Sequence, residues 1–417
     1  PRPAEAAPEM PGALGLFRGR KSDFILAKAQ LNDAGQPQIL YLRVPLAALR
    51  LLKGNVLALQ PLGMMEMPSF TAIKPQLSAY ELRIPPLPGS QAQSDALLAL
   101  LVACGDSFKV VEGVLAGLVQ GMPIAVLNAP ASLERRLTFV QGLLNLLPIP
   151  ARIGITFATY LADPLRSAVQ IKFLGQGVAA PERHLVFDWG AGELRTIPPD
   201  DPYSRYILTQ FKLDPSLVCE ETTRLTQTTV WRASQADNLA SMLSWVARRA
   251  AVDRTVSEGL PADHETVAAI LREDPTLTDD LRQTYTRHLL AFVLALSDPA
   301  AADVIPAIAL DNEATARTVT HHLQGVIQGG QAHAVYQLVE RWLVRVPETA
   351  RLRWPNLLHE AARQHLSDLL KTQQFQAAID FITQVKQVST SASTESTLFE
   401  LIELARPAAQ DHAGLAQ

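Results

Sequence analysis

The residues able to carry a reaction are few and scattered. Asp188, in HLVFDWGAGEL (184–194), closes an apolar run just before a glycine turn. A carboxylate at a strand end can hold a metal or move a proton. His184 opens the same run, and the two side chains would be the polar residues of a hydrolase with a dispersed site. The plainer reading makes Asp188 the cap of the turn GAG, with Trp189 packed on a sheet. His359-Glu360 begins like H-E-x-x-H, the helical signature of zinc peptidases. Here Arg363 stands at the fifth position and the next imidazole is His365, six residues on. At 3.6 residues per turn that spacing sends the two rings to different faces. His321-His322 are adjacent and diverge by about 100° on a helix.

Neither cysteine suggests a nucleophile. Cys104 sits late in an apolar helix and reads as a small buried hydrophobe. Cys219 lies beside Glu220 and Glu221, whose charges would raise its pKa. No G-x-S-x-G, G-x-x-x-x-G-K-[ST] or G-x-G-x-x-G occurs. LGQGVAAP (174–181) has two glycines without a following helix start and reads as a hairpin turn. The residues therefore nominate no catalytic group, no metal set and no cofactor.

Composition narrows the function classes. The chain has 417 residues, 48% of them hydrophobic and 19% charged, so it is globular and long enough for two or three domains. A net charge of −4 supplies no basic field, so direct nucleic-acid binding and a polybasic membrane patch are not expected. No apolar run approaches the ~20 residues of a membrane-spanning helix. Two cysteines fit a reducing compartment, and a cytoplasmic location is expected.

The elements that would position these residues fall into four stretches. Residues 1–12 are proline-rich and read as a flexible leader. Residues 13–90 read as a β-rich domain, with DFILAKAQL, QILYLRVPL, NVLALQPL and AYELRIPPL as short strands and NDAGQP as a hairpin turn. Residues 91–222 read as an α/β domain. It contains MPIAVLNAP, RIGITFATY (152–160), AVQIKFLG and HLVFDWGAGEL as strands, and a helix beginning at Ser132. Residues 223–417 show helical spacing throughout and read as an array of paired helices. LLKTQQFQAAIDFITQV (369–385) has the look of a solenoid repeat, with Phe375 and Ala378 at packing positions. The fold class expected is an α+β or α/β N-terminal half followed by an all-α array or bundle.

Helical arrays offer extended surfaces to partners. Trp342, Arg345, Arg353 and Trp354 are the interface candidates, because Trp and Arg dominate binding hot spots. Internal packing would use the same aromatic residues.

One stretch carries a family resemblance. PIAVLNAP, a helix ending LLNLLP, then RIGITFATY, HLVFDWGAGEL and DPYSRYILTQF follow one another over 123–220. This order resembles the middle region of bacterial GTPase-associated proteins of conflict and defence systems. GLFRGRKSDFILAKAQ is loosely similar to the opening of their first domain. Ala158 stands where that family would have serine. The resemblance implies an adaptor, scaffold or sensor that works beside a GTPase or another effector encoded nearby. It implies no nucleotide binding by this chain. The rival readings are the Asp188/His184 hydrolase, and a structural subunit or substrate of a partner effector.

Overall fold

A computed structural model describes residues 12–19, 23–31, 36–63, 89–235, 237–296, 299–345, 354–388 and 392–409. The chain forms two compact units, Pro1–Arg249 and Ala250–Gln417.

The first unit is built on one eight-stranded sheet. Its strands are β1 (Ala13–Arg18), β2 (Phe24–Leu31), β3 (Pro37–Val44), β4 (Ile124–Leu127), β5 (Phe157–Leu161), β6 (Ile171–Leu174), β7 (Leu185–Asp188) and β8 (Glu193–Leu194). The order is β3-β2-β1-β5-β6-β4-β7-β8. The four central strands are parallel. β1, β2 and β3 extend one side as an antiparallel meander, and β8 closes the other. The sequence-based boundary near residue 90 is thus not a break in the sheet, because β1 pairs with β5 across more than a hundred residues. Leu14 N extends that junction by donating to Thr159 Oγ1 at 2.9 Å. The unit also runs past residue 222, through the end of one helix (Pro215–Arg224), the whole of the next (Thr226–Ser234) and the first part of a third (Leu239–Ser257).

Its helices are α1 (Leu46–Leu51), α2 (Gln60–Gly63), α3 (Ser90–Ala103), α4 (Phe108–Val119), α5 (Leu133–Asn145), α6 (Ile149–Arg152), α7 (Pro202–Leu213), α8 (Pro215–Arg224) and α9 (Thr226–Ser234). α10 (Leu239–Ser257) carries the chain into the second unit. Ser132 caps α5 by accepting from Arg135 N, and Asp201 caps α7 by accepting from Ser204 N at 2.7 Å. Each cap satisfies a backbone N–H that the helix leaves open. Phe139 of α5 stands on one face of the sheet, with ring centroids 5.9 Å from Phe173 and 5.5 Å from Phe187. Gly142 lets α5 lie against α3: a Cβ there would press on the Ala96 carbonyl and sit 2.8 Å from Leu100 Cβ.

Three expectations are corrected. RIGITFATY is not a strand throughout. Its first residue closes the short helix α6, and β5 begins only at Phe157. Arg152 is the reason: its buried guanidinium donates to Leu147 O at 2.7 Å and lies 3.4 Å from Asn145 O, covering carbonyls that α5 leaves open at its C-terminal end. NVLALQPL (55–62) forms a 3₁₀ turn running into α2 rather than a strand. LGQGVAAP is not a hairpin turn. β6 and β7 are both parallel to β4 and flank it, so residues 175–184 cross over β4. AYELRIPPL and the leader through residue 11 lie outside the described residues.

The second unit is helical: α11 (His264–Glu273), α12 (Asp279–Leu296), α13 (Ile305–Asp311), α14 (Glu313–Val326), α15 (Ala332–Arg345), α16 (Pro355–Lys371), α17 (Phe375–Val388) and α18 (Ala392–Ala409). α12 packs on α14, α15 on α16, and α16 on α18. Val335, Leu338, Val339 and Trp342 form the buried stripe of α15 at the i, i+3, i+4, i+7 spacing of an amphipathic helix. Phe375 begins α17 and Ala378 is fully buried in it.

Glycine-to-alanine substitution should change stability with opposite sign at two helical positions. Gly142→Ala gains helix propensity but must push α3 away, and a net loss of about 1–2 kcal/mol is expected. Gly325 is exposed with nothing within 4 Å of a new Cβ, so Gly325→Ala should gain about 0.5–1 kcal/mol. Calorimetric unfolding of the two variants would check both signs.

Candidate functional site

The sequence candidates are distributed by the sheet. His184 precedes β7 and Asp188 ends it, so the two stand at opposite ends of one strand, roughly 13 Å apart at 3.3 Å per residue. Asp188 is buried and fully engaged. Oδ1 accepts from Asn128 Nδ2 at 2.9 Å and from Gly190 N at 3.0 Å, and Oδ2 pairs with the Arg195 guanidinium. The Asn128 hydrogen bond, ahead of the contributions from Ala191 N and Arg195, holds its pKa below the ordinary carboxylate value. A carboxylate so occupied is a turn cap and a poor proton acceptor.

His184 meets a different neighbour. Its Nε2 lies 2.9 Å from Lys172 Nζ, which also donates to Pro164 O at 2.9 Å. Burial lowers the pKa of both side chains, and Lys172 lowers that of His184 further. A neutral imidazole accepting from a buried ammonium ties the connections 162–170 and 175–184 together across the sheet.

The remaining candidates are also absorbed into packing. His359 pairs with Glu400 at 2.7 Å and contacts Thr397 Oγ1 at 3.1 Å, while His365 packs against His333 with ring centroids 4.4 Å apart and planes tilted by 39°. Among the described residues no group of three or more His, Cys, Asp or Glu side chains is placed to hold a metal. Burial pushes the Cys104 thiol up to about 12. Cys219 is raised by burial first, with Glu220 only a lesser cause.

Of the three interface candidates among the described residues, two are buried and one is exposed. Trp342 and Trp354 are buried, with ring centroids 5.4 Å apart. Arg345 lies 3.3 Å from Asp303 Oδ2, a carboxylate that Arg341 already grips with two hydrogen bonds at 2.7 and 2.6 Å. Arg353 lies outside the described residues. Internal packing therefore accounts for the two tryptophans, while the exposed Arg345 side chain joins Arg341 in an ion-pair network on Asp303.

What sequence reasoning missed is the second face of the sheet. Cross-strand partners share a face, so the pairing register can be followed strand by strand. Leu16, Leu26, Phe157, Phe173 and Phe187 point toward the helices. Gly15, Ala27, Tyr41 and Ala158 point the other way. On that side the β6–β4 region is covered by the two long connections: Val169, Val178 and Ala180 pack with Ala125, Leu161 and Leu174. The β1–β3 region is left as an open groove of about 340 Å³. Its floor is made of Ala13, Gly15, Ala27, Ala29 and Ala158. Phe17, Ile25, Ile39, Tyr41 and Tyr160 form its walls, and Arg166 and Ser167 stand at one end. Arg166 is already paired with Asp163 at 3.0 Å. The groove brings together apolar surface, two phenol hydroxyls and, at one end, the hydroxyl of Ser167. The signal was present in the sequence, where ALGLF and FILAKAQL alternate large residues with small ones.

In comparison with known proteins, no protein-family model matches the sequence, and no curated protein matches it.

Two pH responses follow. Asp188 has a depressed folded pKa, so its contribution is complete above the unfolded value of about 3.9 and is lost as pH falls through the folded one. Asp188→Ala should cost about 1–3 kcal/mol at neutral pH in urea unfolding, and Asp188→Asn should flatten the stability loss at the acid end. His365 is lowered to about 4, by burial first and then by His333. The unfolded chain therefore takes up a proton that the folded unit refuses, and stability falls from about pH 6.5 toward pH 4. His365→Phe should weaken that slope in the second unit, as read by calorimetry across the range.

Proposed function

We propose that this chain is a non-catalytic adaptor that binds a partner protein in a multi-component bacterial system, with the open sheet groove as the recognition surface. The observation that carries this reading is an apolar groove on a sheet face that no helix among the described residues covers, bordered by the exposed side chains of Ile39 and Tyr41. A contiguous apolar surface of this kind marks an interaction site. The polar residues that could have supported an enzyme are held by structural partners, which favours recognition over catalysis. The resemblance over 123–220 supports a GTPase or another effector as the partner. A cytoplasmic site of action belongs to the same proposal. Its support is that neither cysteine is disulfide-bonded and that no helix among the described residues is long and apolar enough to cross a membrane.

The test uses the full chain as bait in an extract of the native organism, with and without a non-hydrolysable GTP analogue. Captured proteins are then purified and their affinity measured for the parent chain and for Ala27→Arg. That substitution places a charge in the centre of the groove floor, away from the helices. The expected result is a partner whose binding weakens at least tenfold, about 1.4 kcal/mol. Equal binding by both chains would remove the groove from the proposal. Dependence on the nucleotide would identify a GTPase system.

A further inference from the structure

The outer edge of the sheet supports an inference that does not depend on the adaptor reading. β3 is eight residues long and in unbroken register with β2, from Pro37 opposite Leu31 to Val44 opposite Phe24. Among the described residues no strand pairs with its other edge. Proteins normally blunt such an edge with an inward lysine, an internal proline or a bulge. β3 has none of these: its proline is its first residue, and its one charge, Arg43, is bound to Asp23 at 2.6 Å. Instead the edge exposes Ile39 at 39% and Tyr41 at 59%.

The geometry points to a second copy of this chain as the occupant, with β3 pairing antiparallel to β3 about a two-fold axis at Leu40. A two-fold axis normal to the sheet keeps the helix side of both copies on one side and the groove side on the other. Only registers that pair residues of like parity satisfy this condition. Centring on Leu40 sets Ile39 against Tyr41 of the second copy, twice over, so both exposed side chains are covered at once. On the opposite face Leu40 meets Leu40, and Gln38 meets Leu42. Centring on Tyr41 instead would set Ile39 against Arg43 and waste the contact. The edge is thus self-complementary in one register. That pairing joins two eight-stranded sheets and places Tyr41 of each copy beside the groove of the other. An edge of this length buries less than the roughly 1,600 Å² of a standard interface, so micromolar association is expected.

Sedimentation and light scattering of the full chain over a concentration series would test this. The expected result is reversible conversion from the 45.4 kDa chain to twice that mass. Ile39→Glu and Tyr41→Lys alter exposed side chains and should leave the circular dichroism spectrum unchanged, while each weakens the dimer at least tenfold. Mixing the two variants should restore association, because the carboxylate introduced in one copy then faces the ammonium introduced in the other. Leu40→Cys should give a cross-linked dimer on mild oxidation with diamide, and the parent chain should not. A chain that stays monomeric at several hundred micromolar overturns the proposal. So does a dimer indifferent to Ile39→Glu and Tyr41→Lys, or a mixture that fails to recover. A groove that binds a partner while the chain stays monomeric would sink this inference and leave the adaptor reading standing.

Discussion

The first unit depends on a rule of period two. Once strands pair, each residue's face is fixed for every neighbour along the ladder. Gly15 faces both Ala27 and Ala158; Ala27 faces Tyr41; Ala158 and Ala125 both face Lys172. One continuous face therefore runs from the exposed edge at Tyr41 to the buried ammonium of Lys172. The opposite face carries Leu, Ile and Phe against the helices. The groove, the Lys172–His184 contact and the Asp188 cap all lie on that first face, and they differ in what covers them.

Buried charge in this unit is largely directed to backbone. Arg136 donates to Pro130 O and Thr159 O, each at 2.6 Å, and so ties the exit of β4 to β5. Arg152 serves the C-terminal end of α5 in the same way, and its pKa falls to about 10 because burial disfavours the cation. Carbonyls are weaker partners than carboxylates, so such residues cost free energy unless their hydrogen bonds are complete. They hold irregular connections where a helix or ladder cannot. The same logic explains Asp188, whose hydrogen-bond partners include the backbone of the turn it begins. Residues that look chemical in sequence are here the fixings of loops.

Much of the architecture was legible. The helical second half follows from 3.6-residue spacing, and β2, β4, β6 and β7 fall within the apolar runs that suggested them. Position along the chain could not reveal that β1 joins β5, since non-local pairing leaves no local mark. It could not show that the link after β6 crosses β4. Trp342, which the sequence left between an interface and internal packing, is the more instructive case. Its type suggested a hot spot, but Val335, Leu338 and Val339 place it on the buried stripe of α15, a spacing already present in the sequence. Periodicity favours the internal-packing alternative there. The groove was missed for the converse reason: the small residues at alternate positions of DFILAKAQL were read only as strand and ALGLF was not singled out, although residue size already distinguished the two faces.

That size pattern bears on how the face is used. An antiparallel sheet with one wet face alternates apolar-in with polar-out. β1 and β2 instead carry Ala13, Gly15, Phe17, Ile25, Ala27 and Ala29 on the outer face, with no serine, threonine or lysine among them. Alanine and glycine keep the exposed apolar area small, so the face is tolerable in water. They also leave a hollow, and the larger apolar side chains collect at its walls. A surface selected only for solubility would have used polar residues at these positions at little cost, since β-branched threonine suits a strand as well. A shallow apolar floor with aromatic walls is the feature on which the proposed recognition role rests.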